Sequence, residues 1–203
     1  IFMSTANGTV KKCKTTEFAN AKTRGVIGIK LHDGDHLVSA MLTSGNDDAM
    51  LITRKGQALR VSEESVRPMG RASSGVTGIR LASGDEVAAA ISVEQNKDAL
   101  VITEKGYGKR VGFDEFGKHG RGTGGQKIFG NIEGKGEIIG AIAVSETDEV
   151  ICMSGQGKTL RVSAAMISKQ GRASSGTRII NIDEPDYVVG FDKVANEDEK
   201  DKE

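Results

Sequence analysis

Gly70-Arg71-Ala72-Ser73-Ser74-Gly75 recurs letter for letter as Gly171-Arg172-Ala173-Ser174-Ser175-Gly176, and between them Gly120-Arg121-Gly122-Thr123-Gly124-Gly125 keeps the same outline. The closing glycines Gly75, Gly125 and Gly176, together with Gly25 in Thr23-Arg24-Gly25-Val26, are spaced by 50, 50 and 51 residues. A second glycine series, Gly8, Gly56, Gly106 and Gly157, is followed four places later by a base each time: Lys12, Arg60, Arg110 and Arg161. Four units follow from this period, roughly 1–48, 49–98, 99–149 and 150–194, with 195–203 left as an acidic tail read as disordered. Repeats near fifty residues with turn signals specify a solenoid, a propeller or a related radial array, because no unit buries its apolar face alone.

The second unit sets the pattern. Ala49-Met50-Leu51-Ile52-Thr53 and Gln57-Ala58-Leu59-Arg60-Val61 read as two strands around a tight turn in which Gly56 supplies positive φ. A polar, glycine-broken connection leads to a third strand, Val76-Thr77-Gly78-Ile79-Arg80-Leu81, and after Ala82-Ser83-Gly84-Asp85 to a fourth with Val87, Ala89, Ile91 and Val93 expected to point inward. The third unit offers Ile138, Gly140, Ile142 and Val144 in the same slots, and the fourth Val188, Gly190, Asp192 and Val194, where Asp192 signals a differently packed end. Four short strands per unit without a helical period give an all-β fold, a propeller-like pinwheel of repeated four-stranded blades.

Composition bounds the interior and the partners. Aromatics are 4% and Trp is absent, so packing rests on Val, Ile, Leu, Ala and Met. The formal net charge is zero, but Glu197–Glu203 holds five acids against two bases, which leaves +3 on the rest. The total argues little for a polyanion partner, and the placement of the bases must carry that reading. Cys13 and Cys152 lie in strand-like stretches with no disulfide framework, which suits a reduced cytoplasmic interior. No apolar run approaches a membrane span and no signal peptide is present. Ile1-Phe2-Met3-Ser4 reads as mid-strand, as if the chain continued a longer protein.

Several stretches resemble chemical motifs and fail on context. Gly120-Arg121-Gly122-Thr123-Gly124-Gly125 fits the dinucleotide glycine pattern, yet a strand is expected after it where that motif needs a helix. Gly155-Gln156-Gly157-Lys158-Thr159 resembles a phosphate loop with Cys152 in place of its first glycine, and its counterpart Lys55-Gly56-Gln57 is a plain hairpin turn. His32-Asp33-Gly34-Asp35-His36 suggests a metal cluster, but the equivalent turns keep an acid and lose both histidines. No acid, base or nucleophile set recurs outside turns, so no catalytic residue and no metal ligand is assigned.

The hexamers remain. As bland turn material they need glycine but not the arginine beside it. As a functional surface, successive N–H groups and hydroxyls would form an anion-binding concavity with Arg71, Arg121 and Arg172 supplying charge. Lys22, Arg24, Arg67, Lys118, Lys127, Lys169 and Arg178 lie close to the loops in sequence, giving a periodic basic band. Such a band contacts phosphates without reading bases, since neither a recognition helix nor an aromatic ladder is present. The partner this implies is duplex DNA, held by shape and charge and bent if the band is curved.

Val66-Arg67-Pro68-Met69-Gly70-Arg71, the run Val76–Leu81 with Gly84-Asp85-Glu86-Val87, and Thr103-Glu104-Lys105-Gly106-Tyr107-Gly108-Lys109-Arg110 closely resemble the C-terminal domain of the A subunit of bacterial DNA gyrase, and the resemblance covers all four units and the tail. It implies a β-pinwheel, typically of six blades, that wraps duplex DNA on its basic rim and supports ATP-dependent negative supercoiling. It also implies that the chain is no enzyme by itself. The cleavage tyrosine and the ATPase, with its ATP and magnesium, belong elsewhere in a type IIA topoisomerase, an A2B2 assembly of gyrase A and gyrase B polypeptides in the bacterial cytoplasm, on the nucleoid. The isolated chain is expected to be a monomer without a cofactor and without membrane contact. The family's Gln-Arg-Arg-Gly-Gly-Lys/Arg-Gly box is absent, and Gly120-Arg121-Gly122-Thr123-Gly124-Gly125-Gln126 is its nearest counterpart; Asn20 and Ala21 replace the Gly-Arg pair in the first unit, where Lys22 and Arg24 substitute. The C-terminal domain of the A subunit of topoisomerase IV is the related alternative, and a propeller gripping an acidic protein is the alternative of another class.

Overall fold

The computed structural model describes residues 1–195. Each unit opens with a hairpin: β1 (Phe2–Thr5) with β2 (Thr9–Lys12), β4 (Asp48–Thr53) with β5 (Gln57–Ser62), β8 (Asp98–Thr103) with β9 (Tyr107–Gly112), and β12 (Glu149–Ser154) with β13 (Thr159–Ser163). The turn glycines Gly8, Gly56, Gly106 and Gly157 all sit at φ between +79 and +86°, which glycine adopts at little steric penalty. A strand then returns on the inner side of each hairpin: β3 (Leu37–Met41), β7 (Val87–Ser92), β11 (Ile138–Val144) and β15 (Val188–Lys193). β7 packs between β3 and β11, and β11 against β15, so the four inner strands line the hub.

The outer strand of each sheet comes from the next unit. β6 (Val76–Thr77) pairs with β2, β10 (Gln126–Lys127) with β5, and β14 (Thr177–Arg178) with β9. The sheets are therefore β3-β1-β2-β6, β7-β4-β5-β10, β11-β8-β9-β14 and the three-stranded β15-β12-β13. The second, third and fourth units thus contribute four strands each, as expected, and the first contributes three, but the third strand of each later unit is built into the preceding unit's sheet. The apolar run Val76–Leu81 makes only two ladder residues before Gly78 and Ile79 both donate to the Gly8 carbonyl; Ile128 and Phe129 do the same to Gly56, and Ile179 and Ile180 to Gly106. One glycine carbonyl thus anchors each exchanged strand through two N–H groups, and this backbone clasp repeats three times.

The stacking of successive sheets explains the near-continuous apolar runs of β4 and β8, because both faces of these strands are covered. Ala49 and Leu51 join Phe2, Val10, Leu59 and Val61 in a core between the first two sheets, while Met50 and Ile52 join Ala99, Val101, Phe113 and Phe129 between the second and third. A third core holds Leu100, Ile102, Val150, Cys152 and Ile180. The single inward face expected of the fourth strands is also corrected. A register shift opposite Ile52/Thr53 puts Val87 and Ala90 on the first core but Ala89, Ile91 and Val93 on the second, and a shift between Ile138 and Gly140 divides β11 likewise. Asp192 is exposed, in keeping with a distinct end sheet.

Short non-strand elements place the connections. Single 3-10 turns at Glu63–Ser65, Phe113–Glu115 and Ala164–Met166 follow the hairpins, and Thr15–Phe18 does so in the first unit. A four-residue helix, Ile132–Lys135, precedes β11 and was not legible in the sequence. Among the described residues no helix is long and apolar enough to cross a membrane.

The clasp separates two otherwise similar turns. A Cβ at Gly106 would run into the Ile180 carbonyl oxygen, whereas one at Gly157 would meet nothing within 4 Å. In urea unfolding, Gly157→Ala should cost about 1–2 kcal/mol, the left-handed penalty alone. Gly106→Ala should cost distinctly more, because the third unit's seam must open.

Candidate nucleic-acid interface

After the 3-10 turns of the second, third and fourth units the chain crosses to the outer edge of the preceding unit's hairpin. Met69, His119 and Gln170 donate to the carbonyls of Lys12, Arg60 and Arg110 at 2.8, 2.9 and 2.9 Å. The hexamer then loops outward and returns through its last glycine, packed so closely that a Cβ on Gly75 would stand 2.5 Å from the Val10 carbonyl oxygen. The three hexamers therefore occupy equivalent places on the periphery, held at both ends by the neighbouring unit. Gly25, whose unit has no preceding sheet here, meets nothing within 4 Å.

Inside the loops the polar groups serve the fold. Ser73 and Ser174 donate, through N–H and Oγ, to the carbonyls of Gly70 and Gly171, and Thr123 Oγ1 donates to Gly120. Fully buried Lys11 donates to the carbonyls of Gly28, Arg71 and Ser73, and fully buried Lys109 to those of Gly171, Arg172 and Ser174 and to Ser174 Oγ. The Arg172 N–H is taken by Glu115 at 2.7 Å. The expected anion-binding concavity of N–H groups and hydroxyls is thus corrected. The inner face of the serine loops is lined with acceptors around an ammonium, and only the arginine side chains project charge outward.

The ten candidate bases divide into three groups. Lys22, Arg24, Arg67, Lys127 and Arg172 have side chains that make no hydrogen bond or ion pair among the described residues; the first four are exposed and Arg172 is half-buried. Arg71 donates to the Ile27 carbonyl, Arg121 to those of Ser65 and Thr77, and Arg178 to the Tyr107 hydroxyl at 2.6 Å, contacts that fix direction and leave the positive charge uncompensated. Lys118 and Lys169 instead hold carboxylates, Asp48 at 2.7 Å and Asp98 at 2.8 Å. The bond from Lys169 to Asp98 raises the lysine pKa above its ordinary value.

Those carboxylates explain the other periodic bases. Arg60 pairs with Asp48 and Arg110 with Asp98 at 2.9 and 3.0 Å, and Arg161 pairs with Glu149. Each acid stands twelve residues before its arginine and lies diagonally across the hairpin ladder, two places from the arginine's own partner, so this series is structural. Lys12 belongs to a different pair, with Glu63. Burial alone would raise the Glu63 pKa, but the bonds from Thr43, Asp47 and Gly45 and the Lys12 charge hold it below the usual carboxylate range. A cavity of about 1240 Å³ opens where the second and third sheets meet at this end of the hairpins. Six acids line it, Asp47, Asp48, Glu94, Asp98, Asp114 and Glu146, against four bases. Its excess of negative charge disfavours a polyanion there and leaves the periphery as the basic track.

Sequence reading missed Lys135, which lies 3.7 Å from the Tyr107 ring centroid, with the Arg178 guanidinium at 5.0 Å. The bond from Arg178 is the main cause that lowers the Tyr107 pKa. No periodic signal marks Lys135, because its helix occurs in one unit only. The motif look-alikes resolve as ordinary strand and turn: Gln126–Lys127 after the hexamer at 120–125 is a strand, Gly157 closes the last hairpin, and Asp35 accepts N–H bonds from Asn7 and His36.

The family model for the DNA gyrase C-terminal domain, beta-propeller, matches residues 1–44, 47–94, 97–145 and 148–195. The chain is 66% identical to the DNA gyrase A subunit of Treponema pallidum over 191 residues, covering 94% of this chain and 24% of that protein, and 40% identical to the DNA gyrase A subunit of Escherichia coli over 195 residues, covering 96% and 22%. It spans about a quarter of the length of these curated relatives. Among solved structures, the DNA gyrase A C-terminal domain superposes with a TM-score of 0.87 at 32% identity over 96% of this chain and 65% of that one. The C-terminal domain of DNA topoisomerase IV gives 0.89 at 25% identity over 95% and 61%.

Burial pushes the Lys109 pKa down to about 8. The unfolded chain keeps this proton up to about pH 10.5 while the folded chain releases it near pH 8, so the unfolded state binds more protons in between and stability rises with pH across that window. Urea titrations from pH 7.5 to 10 should show this rise in the native sequence and its absence in Lys109→Leu. Parallel curves for the two would remove the assignment.

Proposed function

The chain belongs to the DNA gyrase C-terminal domain, beta-propeller, family, and on that footing we propose that it binds duplex DNA without sequence preference along its outer rim and bends it. The observation that carries the reading is the placement of Arg71, Arg121 and Arg172 at equivalent points of the periphery, one per unit, where an outer-edge loop carries them beyond the sheet. Regularly spaced cations on a curved edge neutralise phosphates at intervals and draw the duplex along the curve, and the release of condensed counterions supplies the affinity. Bending a site of 20–30 base pairs costs on the order of 1–6 kcal/mol, which several such contacts offset. Lys127, Arg67 and Arg178 flank the same track, while Lys118 and Lys169 contribute less because their carboxylate partners compete with phosphate.

In the whole protein this activity would present a DNA segment for strand passage and so support ATP-dependent negative supercoiling. The rest of the gyrase A polypeptide and the gyrase B polypeptide would be the partners, in an A2B2 assembly in the cytoplasm. Strand cleavage and ATP hydrolysis with magnesium would lie outside these residues, and the domain itself would need no cofactor. The fold alone does not choose between gyrase and topoisomerase IV, since both neighbours superpose comparably; the greater identity to the gyrase relatives favours gyrase.

Replacing Arg71, Arg121 and Arg172 together by alanine should weaken binding to a duplex shorter than the ~150 base-pair persistence length and flatten the slope of log K against log salt by up to about 0.9 per lost contact. Energy transfer between labelled duplex ends, followed in the same titration, should rise on binding. An unchanged slope would take the loops off the binding surface, and binding without end approach would remove bending from the proposal. The acidic residues 196–203 lie outside the described part of the chain. If they compete with DNA for the rim, deleting them should tighten binding in the same assay, and equal or weaker binding counts against that role.

A further inference from the structure

The two buried ammonium groups under the rim loops follow a sequence rule. The residue three places after the hairpin glycine is Lys11, Leu59, Lys109 and Leu160 in the four units. Where it is lysine, the next unit supplies Gly-Arg-Ala-Ser-Ser-Gly; where it is Leu59, the next unit supplies Gly120-Arg121-Gly122-Thr123-Gly124-Gly125. All three side chains that underlie a hexamer are fully buried.

The backbone shows why the pairs go together. Lys109 gathers the carbonyls of residues 171, 172 and 174, and Lys11 those of residues 71 and 73, so the serine loops turn their carbonyls inward. Leu59 has no donor, and above it an inward carbonyl at the loop's second residue, which the lysine serves at Arg71 and Arg172, would be orphaned. In that loop the third residue is Gly122 at φ +78°, whereas Ala72 and Ala173 at the same place keep negative φ. Gly122 also donates its N–H to the Gly78 carbonyl at 2.6 Å, a bond the serine loops do not make. Glycine at the third place therefore lets the peptide turn away from an apolar floor, and alanine there fits a floor that donates hydrogen bonds.

We propose that the residue three places after the hairpin glycine is a positioning residue that selects the rim loop of the following unit, lysine taking the Ala-Ser-Ser form and leucine the Gly-Thr-Gly form, and thereby fixes the direction in which that loop's arginine leaves the surface. The loop selection stands on the two geometries above; the consequence for DNA rests on the rim-binding reading.

The test exchanges floor and loop separately and together. Lys109→Leu alone should lower Tm by about 4–8 °C, since the Arg172 carbonyl loses its donor and the Gly171 and Ser174 carbonyls each lose one of theirs. It should also flatten the salt slope of duplex binding by about 0.9, as for one lost phosphate contact. Adding Ala173→Gly, Ser174→Thr and Ser175→Gly should recover most of both losses, while those three changes above native Lys109 should not be neutral. The reciprocal set, Leu59→Lys with and without Gly122→Ala, Thr123→Ser and Gly124→Ser, gives the same readout at a second seam should the first variant fail to fold. A matched pair no more stable than its mismatched single overturns the selection rule. If the native chain shows no salt-dependent DNA binding, the rim reading falls and the Tm arm still decides this proposal. If Tm recovers and the salt slope does not, the rule is confined to folding and the claim about arginine direction is overturned.

Discussion

A turn-glycine carbonyl that accepts two N–H groups from the following unit is the contact on which the array depends. It fixes where the exchanged strand meets the preceding hairpin, and that meeting point sets the register of the two-residue ladder beyond it. The connection before the ladder is then forced along the outer edge of another sheet, where it has to bulge. Rim loops are in this sense by-products of strand exchange. The chain crosses between sheets on the outside because the inside is filled by the returning strands of the hub.

Charge is divided along the same lines. Arginines inside the hairpin ladders, Arg60, Arg110 and Arg161, are matched by acids twelve residues earlier and stay with the fold. Lysines under the loops are matched by carbonyl oxygens, which satisfy the ammonium hydrogens without cancelling the charge. Among the described residues, Arg71, Arg121, Arg172, Lys127 and Arg178, at the loops and short outer strands, form no ion pair with a carboxylate. A net charge of zero is thus compatible with a basic periphery, because the acids are concentrated at the other end of the hairpins and in the tail.

The period, the hairpins and the all-β class were legible because glycine at positive φ and alternating apolar residues are local signals, and the fifty-residue repeat multiplies them. Exchange was not legible. Val76–Leu81 has the same letters whether it pairs within its own unit or with the previous one, and which occurs is settled by the two N–H groups of residues 78 and 79 meeting Gly8, a contact seventy residues away. The rim arginines were found from repetition, and the family comparisons agree with the fold that repetition suggested. Repetition misled for the serines of the hexamer. Their identity in two loops reflects a shared lysine floor, and that floor is itself encoded by one residue in a strand that reads as ordinary. Lys118 and Lys169 looked equivalent to the other bases because a sequence does not show that Asp48 and Asp98 lie beside them.

The offset between the unit of sequence and the unit of sheet has a consequence for how such arrays grow. Any fifty-residue window, wherever its ends fall, carries one strand that looks backward and one edge that looks forward. A tandem duplication of that window inserts a complete link into the chain, and neither junction presents an unpaired edge. The number of blades is thereby free to change without the invention of new seam chemistry. The alternation of floors sets a longer stride: two units together, about a hundred residues, are the smallest length that copies itself with every floor still under its own kind of loop.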